Sequence, residues 1–353
     1  MKLGLVVYGE FDSQSGGFHY DRQLVAELRA AGDSVEVIEL PWRSYPRGLL
    51  DNASPGLRRR LAGDYDALLQ DELAHPSLAW TNRRLSVPIV SIVHHLRASE
   101  NRQLAPLYRA VEGRYLRGVD GVVCNSTVTH DVVTELGVDD DRTVVAPPAG
   151  DRFDPAMGDD RIAEGVHEGP LRLLFVGNIT PRKGLDTLID GLASADSEAE
   201  LTVVGRPVDE GYVARCHDRV ADLGLADRVT FAGGIDDASL ADAFREHHVL
   251  AVPSRYEGYG IVYLEGMSFG LPAIATTAGG ATDIVSDGET GFLVDPGDSV
   301  AVADAIATLA TDRERLAAMG RAARERYEAQ PDWTETAESV RTLLRSVVND
   351  RAV

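Results

Sequence analysis

The sequence predicts an α/β protein built from two doubly wound, parallel-sheet domains. Three observations carry this. The chain has 353 residues, too many for one ordinary core and enough for two. Short apolar, β-branched runs alternate with helical stretches, which is the pattern of β-α-β units. That alternation breaks once, at a segment rich in Pro, Gly and Asp, and then starts afresh. Two such units in tandem imply two Rossmann-like domains facing a cleft.

The first series of runs is "KLGLVVY" (2–8), "SVEVIEL" (34–40), "YDALLQ" (65–70), "VPIVSIV" (87–93), "DGVVCN" (120–125) and "RTVVAP" (142–147). Runs of this kind suit strands buried on both faces. Between them lie helical stretches such as "YDRQLVAELRAAG", with Gly32 as its stop. The break is "PPAGDRFDPAMGDDRIAEGVHEGP" (147–170), which has no apolar period. The second series is "LRLLFVG" (171–177), "AELTVVG" (199–205), "RVTFAG" (228–233), "VLAVPS" (249–254), "PAIATT" (272–277) and "GFLV" (291–294). The expected division is a first domain over 1–150, a linker over 151–170 and a second domain over 171–330. A final helical stretch, 331–353, is free to cross back onto the first domain.

Composition narrows the class. Hydrophobic residues make up 44% and charged residues 26% of the chain, which are globular values. No run approaches the 18 or so apolar residues of a membrane span. "MKLGLVVYGEF" reads as a buried first strand and not as a signal peptide. Cys124 and Cys216 lack metal-ligand spacing. The simplest expectation is a cytoplasmic protein, or one peripheral at the inner face of the membrane.

Net charge is −21, and lysine is nearly absent: Lys2 and Lys183 are the only two. This resembles a halophilic protein, kept soluble in strong salt by carboxylates. "DDD" at 139–141 and "GDD" at 158–160 then read as solvated loops. So acidic a chain is not expected to bind nucleic acid. The charge is uneven. Residues 40–120 carry 12 basic and 8 acidic side chains, net +4. They include "RQLAPLYRAVEGRYLRG", where Leu104, Leu107, Tyr108, Val111 and Tyr115 recur at helical spacing among Arg102, Arg109, Arg114 and Arg117. Two readings stand for this helix: a core-facing element with solvated arginines, or a docking face for an anionic membrane surface or a lipid-phosphate acceptor.

The most informative stretch is "VPSRYEGYGIVYLEGMSFGLPAIATTAGGATDIVSDGETGFLV". Glu257 follows a strand that ends at Ser254. Gly258 and Gly260 permit close backbone approach, and a helix starts near Tyr259 to Ile261. A helix N-terminus opened by glycines is an anion site. Glu265 suits both hydroxyls of a ribose. In a continuous helix the eight steps from Glu257 to Glu265 would span about 12 Å, near the reach from a sugar to a ribose across a diphosphate. Ordinary surface glutamates remain the plain alternative for the pair taken alone.

A second stretch, "FVGNITPRKGLDTLIDGL", opens a helix after the first strand of the same domain and puts Arg182 and Lys183 at the carboxyl edge of the sheet. A departing nucleoside diphosphate gains negative charge, which fixed cations and helix dipoles must neutralise. The compact ammonium of lysine suits a single oxygen where the fork of arginine does not fit. No acidic triplet stands at a strand end beside these cations, so no divalent metal and no other cofactor is expected. No G-x-G-x-x-G follows either first strand, and no G-x-x-x-x-G-K-[ST] is present, which argues against a dinucleotide-dependent dehydrogenase and a P-loop ATPase.

Together Glu257-Gly258-Tyr259-Gly260 through Glu265, "GLPAIATTAGG", "DGETGFLV" and Lys183-Gly184 resemble the GT-B fold glycosyltransferases of family 4, over nearly the whole chain. The resemblance implies a retaining, metal-independent, hexosyltransferase-type enzyme that uses a UDP- or GDP-linked sugar. It implies that Glu265 holds the ribose, Glu257 lies at the transferred sugar and Lys183 binds the diphosphate, with Arg182, Gly177 and Asn178 beside it. The family often has Arg where this chain has Asn178, and Glu where it has Asp283. In the first domain, Gly16 and Gly17 match a glycine pair whose amides approach the diphosphate; a flexible loop is the other reading. His94, after "VSIV", matches a histidine that contacts the sugar or the acceptor. His95 and Arg97 are further candidates on the acceptor side. The His247-His248 pair reads as surface or packing residues. A nucleotide-sugar epimerase on the same fold, or a non-catalytic donor-binding subunit, are the alternatives.

Overall fold

Each apolar run forms a strand, and the strands assemble into two parallel sheets. The computed structural model describes residues 1–12, 16–100, 105–153, 155 and 169–352. The first sheet holds β1 (Lys2–Tyr8), β2 (Ser34–Leu40), β3 (Ala67–Asp71), β4 (Ile89–Val93), β5 (Gly121–Cys124) and β6 (Thr143–Val145). The second holds β7 (Leu171–Val176), β8 (Ala199–Val204), β9 (Val229–Gly233), β10 (Val249–Ala251), β11 (Ala273–Thr276) and β12 (Gly291–Val294). Their orders are β2-β1-β3-β4-β5-β6 and β12-β11-β10-β7-β8-β9. All pairings are parallel, with β1 between β2 and β3 and β7 between β8 and β10.

These orders locate the sites. Strand order reverses between β1 and β3 in one sheet and between β7 and β10 in the other. The loops leaving the carboxyl ends of two neighbouring strands diverge there and leave a crevice, where open α/β sheets bind ligands. His94 follows β4 beside the first switch point. Lys183 and Glu257 follow β7 and β10 at the second.

The chain forms two units, Met1–Ala149 with Pro331–Val353, and Gly150–Gln330. In the first, helix α1 (Gly16–Ala30) buries Phe18, Tyr20, Leu24, Val25 and Leu28 against the sheet. The last helix, α5 (Trp333–Ala352), lies beside α1 and brings Trp333, Val340, Leu344 and Val347 into the same core. In the second unit, α3 (Leu185–Ser194) buries Leu185, Leu188, Ile189 and Leu192, and α4 (Ile261–Ser268) is buried along most of its length. Cys124 and Cys216 are both buried and unpaired with one another. Among the described residues no helix is long and apolar enough to cross a membrane.

The segment expected as linker, 151–170, lies mostly outside the described residues, but its start is no linker. Phe153 is buried in the second unit's core, with its ring 5.7 Å from both Phe244 and Phe269. An aromatic ring in the segment outweighs the polar residues around it. The helix expected over the arginine-rich stretch is α2 (Ala105–Leu116); Arg102 and Leu104 lie outside the described residues. Leu107 is exposed, Tyr108 half-buried and Tyr115 buried. The run Asp139–Asp141 lies exposed, as expected for a solvated loop, while 158–160 falls outside the described residues.

Candidate active site

In the second unit the site is built around a buried carboxylate. Glu257 is 7% exposed. Lys183 Nζ lies 2.6 Å from its Oε2 and Arg182 Nη1 3.5 Å from its Oε1. The Ser254 hydroxyl donates to Oε2 at 3.1 Å. Burial alone would push the Glu257 carboxyl up, but Lys183 and Arg182 outweigh it and bring it down to about 2. Stability drawn from this carboxylate is full above its ordinary range near 4.5 and is lost as pH falls toward about 2.

Glycines make this geometry possible. Gly279 pairs with Glu257 in a short parallel bridge, and the Gly280 N–H donates to the Glu257 carbonyl at 2.9 Å. Gly279 has φ +89°, and a Cβ there would sit 1.9 Å from the Glu257 carbonyl oxygen. That is the physical reason for the glycines in "TTAGG". Gly184, at φ +69°, passes so close to β10 that a Cβ would meet the Pro253 carbonyl oxygen at 2.1 Å. It thereby turns Lys183 toward Glu257, and the Lys183 stem lies along Gly177.

Glu257 and Glu265 do not share a continuous helix. α4 begins only at Ile261, with Gly260 at φ +99° as a cap that brings no side-chain bond, so Glu257 stands in the loop and the span expected of a continuous helix does not apply. The first turn of α4 meets no capping side chain and keeps its character as an anion site. Glu265 is 6% exposed and pairs with Arg152 at 3.3 Å. Burial raises its carboxyl, and Arg152 offsets part of that. Arg152 also bonds Asp237. Tyr259 turns inward, where its hydroxyl accepts from Gln330 Nε2 at 2.7 Å, so toward a ligand this residue offers backbone only. Ile261 and Gly258 are half-buried, and Asn178 is exposed in the loop after β7.

The sequence pattern does not point to Arg152. It lies 113 residues from Glu265, in a segment with no periodic pattern, and nothing local marks it.

In the first unit, His94 at the carboxyl end of β4 bonds Asp21 Oδ1 through Nε2 at 3.0 Å. Its backbone N–H donates to Glu72 Oε2 at 3.0 Å. Gly17 lies in the first turn of α1, where a Cβ would meet the His94 ring at 3.2 Å, so the glycine makes room for the imidazole. Gly16 meets nothing within 4 Å of such a Cβ. His95 is half-buried beside His94. Arg97 lies over the Tyr45 ring at 5.7 Å, and its backbone N–H donates to the buried Glu112. His247 packs as expected, bonded to the Ala243 carbonyl and the Thr202 hydroxyl. Asp21, Asp71 and Glu72 are likewise unmarked in the sequence, although Asp21 lies four residues after Gly17, on the same helix face.

Family models match both units: a glycosyl transferase 4-like domain over residues 14–149 and glycosyl transferases group 1 over 158–326. A D-inositol 3-phosphate glycosyltransferase of Stackebrandtia nassauensis is 30% identical over 345 residues, covering 87% of this chain and 78% of that protein. The chain belongs to the group 1 glycosyltransferases. The Nocardia farcinica protein of the same name is 32% identical to this glycosyltransferase over 301 residues, 80% of this chain and 66% of its own length. Among solved structures, Anabaena Alr3699/HepE in complex with UDP-glucose matches 98% of this glycosyltransferase and 100% of that chain, with TM-score 0.79 at 21% identity. That likeness shows the GT-B fold.

Proposed function

We propose that this glycosyltransferase moves a hexose, with retention, from a UDP- or GDP-linked donor to a hydroxyl of an acceptor that carries phosphate. The observation that carries the reading is the cluster of Lys183, Arg182 and Glu257 beside the uncapped N-terminus of α4. In this reading Glu265, buried yet partnered by Arg152, accepts from the ribose hydroxyls. Lys183 and Arg182 stabilise the diphosphate as the bond from the sugar C1 to the phosphate oxygen breaks. The departing phosphate oxygen takes the acceptor's proton as the new C1–oxygen bond forms on the same face. The names of the relatives and the surplus of arginine over residues 40–120 support a phosphate on the acceptor in this reading.

Fixed cations and a helix end make a divalent ion unnecessary in this reading. Released UDP or GDP, measured with each sugar donor and with inositol phosphate as first acceptor, is expected to appear in the presence of a chelator. Loss of turnover in the chelator, restored by manganese, would falsify the metal-independent part. Steady turnover of donor to a new sugar nucleotide, without release, would replace transfer by epimerisation.

We also propose that the first unit meets an anionic membrane. Trp42, Leu50 and Leu107 are exposed at 61%, 73% and 55%. Tyr45 and Tyr108, 5.1 Å apart, join the segment after β2 to α2. Arg109, Arg114 and Arg117 are all exposed; Arg109 pairs with Glu135 at 3.3 Å, and Arg117 bonds the Leu136 carbonyl. Reversing Arg109 and Arg114 to Glu is expected to weaken pelleting with phosphatidylinositol vesicles roughly thirtyfold or more, at about 1 kcal/mol per arginine, and to leave donor binding unchanged. Unchanged pelleting would mean that the arginines are merely solvated.

A further inference from the structure

We propose that Asp21 is a positioning residue that, with Asp71 and Glu72, keeps His94 as an imidazolium, so that this histidine, its Nε2–H given to Asp21, meets the reactants as a hydrogen-bond donor through Nδ1 and not as a base. The role in transfer rests on the function proposed above; the charge state of the ring does not.

The ring is held on three sides. Gly17 gives it room, the Tyr20 ring meets it edge-on at 5.1 Å, and Asp21 takes its Nε2 at 3.0 Å. Gly17, Tyr20 and Asp21 all belong to α1, so one helix sets both the orientation and the charge. Asp21 is 0% exposed, and its Oδ2 has no partner among the described residues. His94 is therefore the bond partner through which this buried carboxylate is stabilised. Asp71 and Glu72, at the end of β3, are 1% and 3% exposed. Glu72 accepts the His94 backbone N–H, and Asp71 accepts from the Leu73 N–H at 2.9 Å. From the end of β5 comes Asn125, whose amide donates to the His94 carbonyl at 3.0 Å.

Among the described residues, no lysine or arginine pairs with Asp21, Asp71 or Glu72. Three buried carboxylates thus face one ionisable cation, and burying an unpaired carboxylate is costly. Burial of the ring favours its neutral form, but the charge and bond of Asp21, then Asp71 and Glu72, outweigh it and raise His94 to about 10. Burial and mutual repulsion raise Asp71 to about 6, and Glu72 above its ordinary range. The cluster relieves its excess charge by holding protons, on the ring and on its carboxyls. The stability this gives is full below about 6.5, the ordinary value of the ring, and is lost as pH rises through about 10.

The consequence is chemical. A neutral ring that donates Nε2–H to Asp21 would leave Nδ1 as an acceptor. An imidazolium has N–H at both positions. His94 then donates to a sugar hydroxyl or to developing phosphate charge, and the acceptor's proton must leave by another route.

The test is a nitrogen-15 titration of the histidine rings in the full chain, with His94→Gln to assign the signal. In the wild type the His94 ring is expected to stay in the imidazolium form through pH 8. Asp21→Asn should bring its midpoint down by roughly three units, toward the ordinary value of about 6.5. In turnover, Asp21→Asn should retain most of kcat near pH 5.5 and lose roughly tenfold by pH 8, with little change in donor KM. Asp21→Glu should restore part of the profile. A wild-type ring that is neutral at pH 7.5 would overturn the proposal, as would an Asp21→Asn profile parallel to wild type. If Asp21→Asn does not fold, the wild-type titration and Asp21→Glu decide. If no nucleotide sugar is turned over, the assigned function fails, and the titration still settles the charge on His94.

Discussion

Lys183→Ala is expected to slow turnover roughly a hundredfold, the effect of about 3 kcal/mol on the barrier, while changing donor affinity far less. The Lys183 ammonium is largely buried, with its side chain 12% exposed, and meets Glu257 at 2.6 Å. A diphosphate oxygen brought to this place gains its contact most strongly when the sugar leaves and charge accumulates, so the loss falls on kcat. Removing the ammonium also leaves the buried Glu257 carboxylate to Arg182, at 3.5 Å, and to Ser254. The Glu257 carboxyl should then rise above its value of about 2. Lys183→Arg should recover only part of the rate. The stem packs along Gly177, where an added Cβ would lie 3.4 Å from Lys183 Cε, and a planar guanidinium needs more room. Steady-state kinetics on both variants, with thermal unfolding to check the fold, decide the matter. Near wild-type kcat in Lys183→Ala would transfer the role to Arg182.

Gly279→Ala should damage both the fold and the site. A side chain at φ +89° is strained, at about 1–2 kcal/mol, and the Cβ would lie 1.9 Å from the Glu257 carbonyl oxygen. Backbone must move, which adds about 1–3 kcal/mol. The part that moves carries Glu257, so turnover should fall more than tenfold even below the unfolding temperature. Gly211→Ala is the control, since its added carbon would make only ordinary contacts, the nearest at 3.5 Å. Equal unfolding temperatures and rates in the two variants would show that the bridge between Gly279 and Glu257 is dispensable.

Most of the strand framework was legible because buried parallel strands need continuous apolar runs, and twelve such runs stand in the sequence. The Lys183 and Glu257 pairing was legible only as two separate signals, a lone lysine and a glycine-flanked glutamate. Their contact spans 74 residues and follows from strand order, which a linear pattern does not display. Arg152 and Asp21 were hidden for two different reasons. Arg152 reaches Glu265 from a segment whose composition suggests a linker. Asp21 looks like one more polar residue of an amphipathic helix, and only the burial of that position shows its charge to be directed inward. The composition also obscured it: in a chain with 56 acidic residues, a single functional carboxylate does not stand out.

The path of the chain has a consequence for synthesis. Residues 1–149 emerge from the ribosome first, yet the core they form is closed by Trp333, Val340, Leu344 and Val347 of α5. Domains usually fold in order as they are made. Here the second unit, Gly150–Gln330, is translated in full before the first receives its last helix. The nascent first unit therefore waits with an apolar face of α1 and its sheet uncovered for the time needed to make roughly 180 further residues, on the order of ten to forty seconds at ordinary elongation rates. The order of completion is thus inverted relative to the order of synthesis, and of the two units the one translated earlier is the later to close.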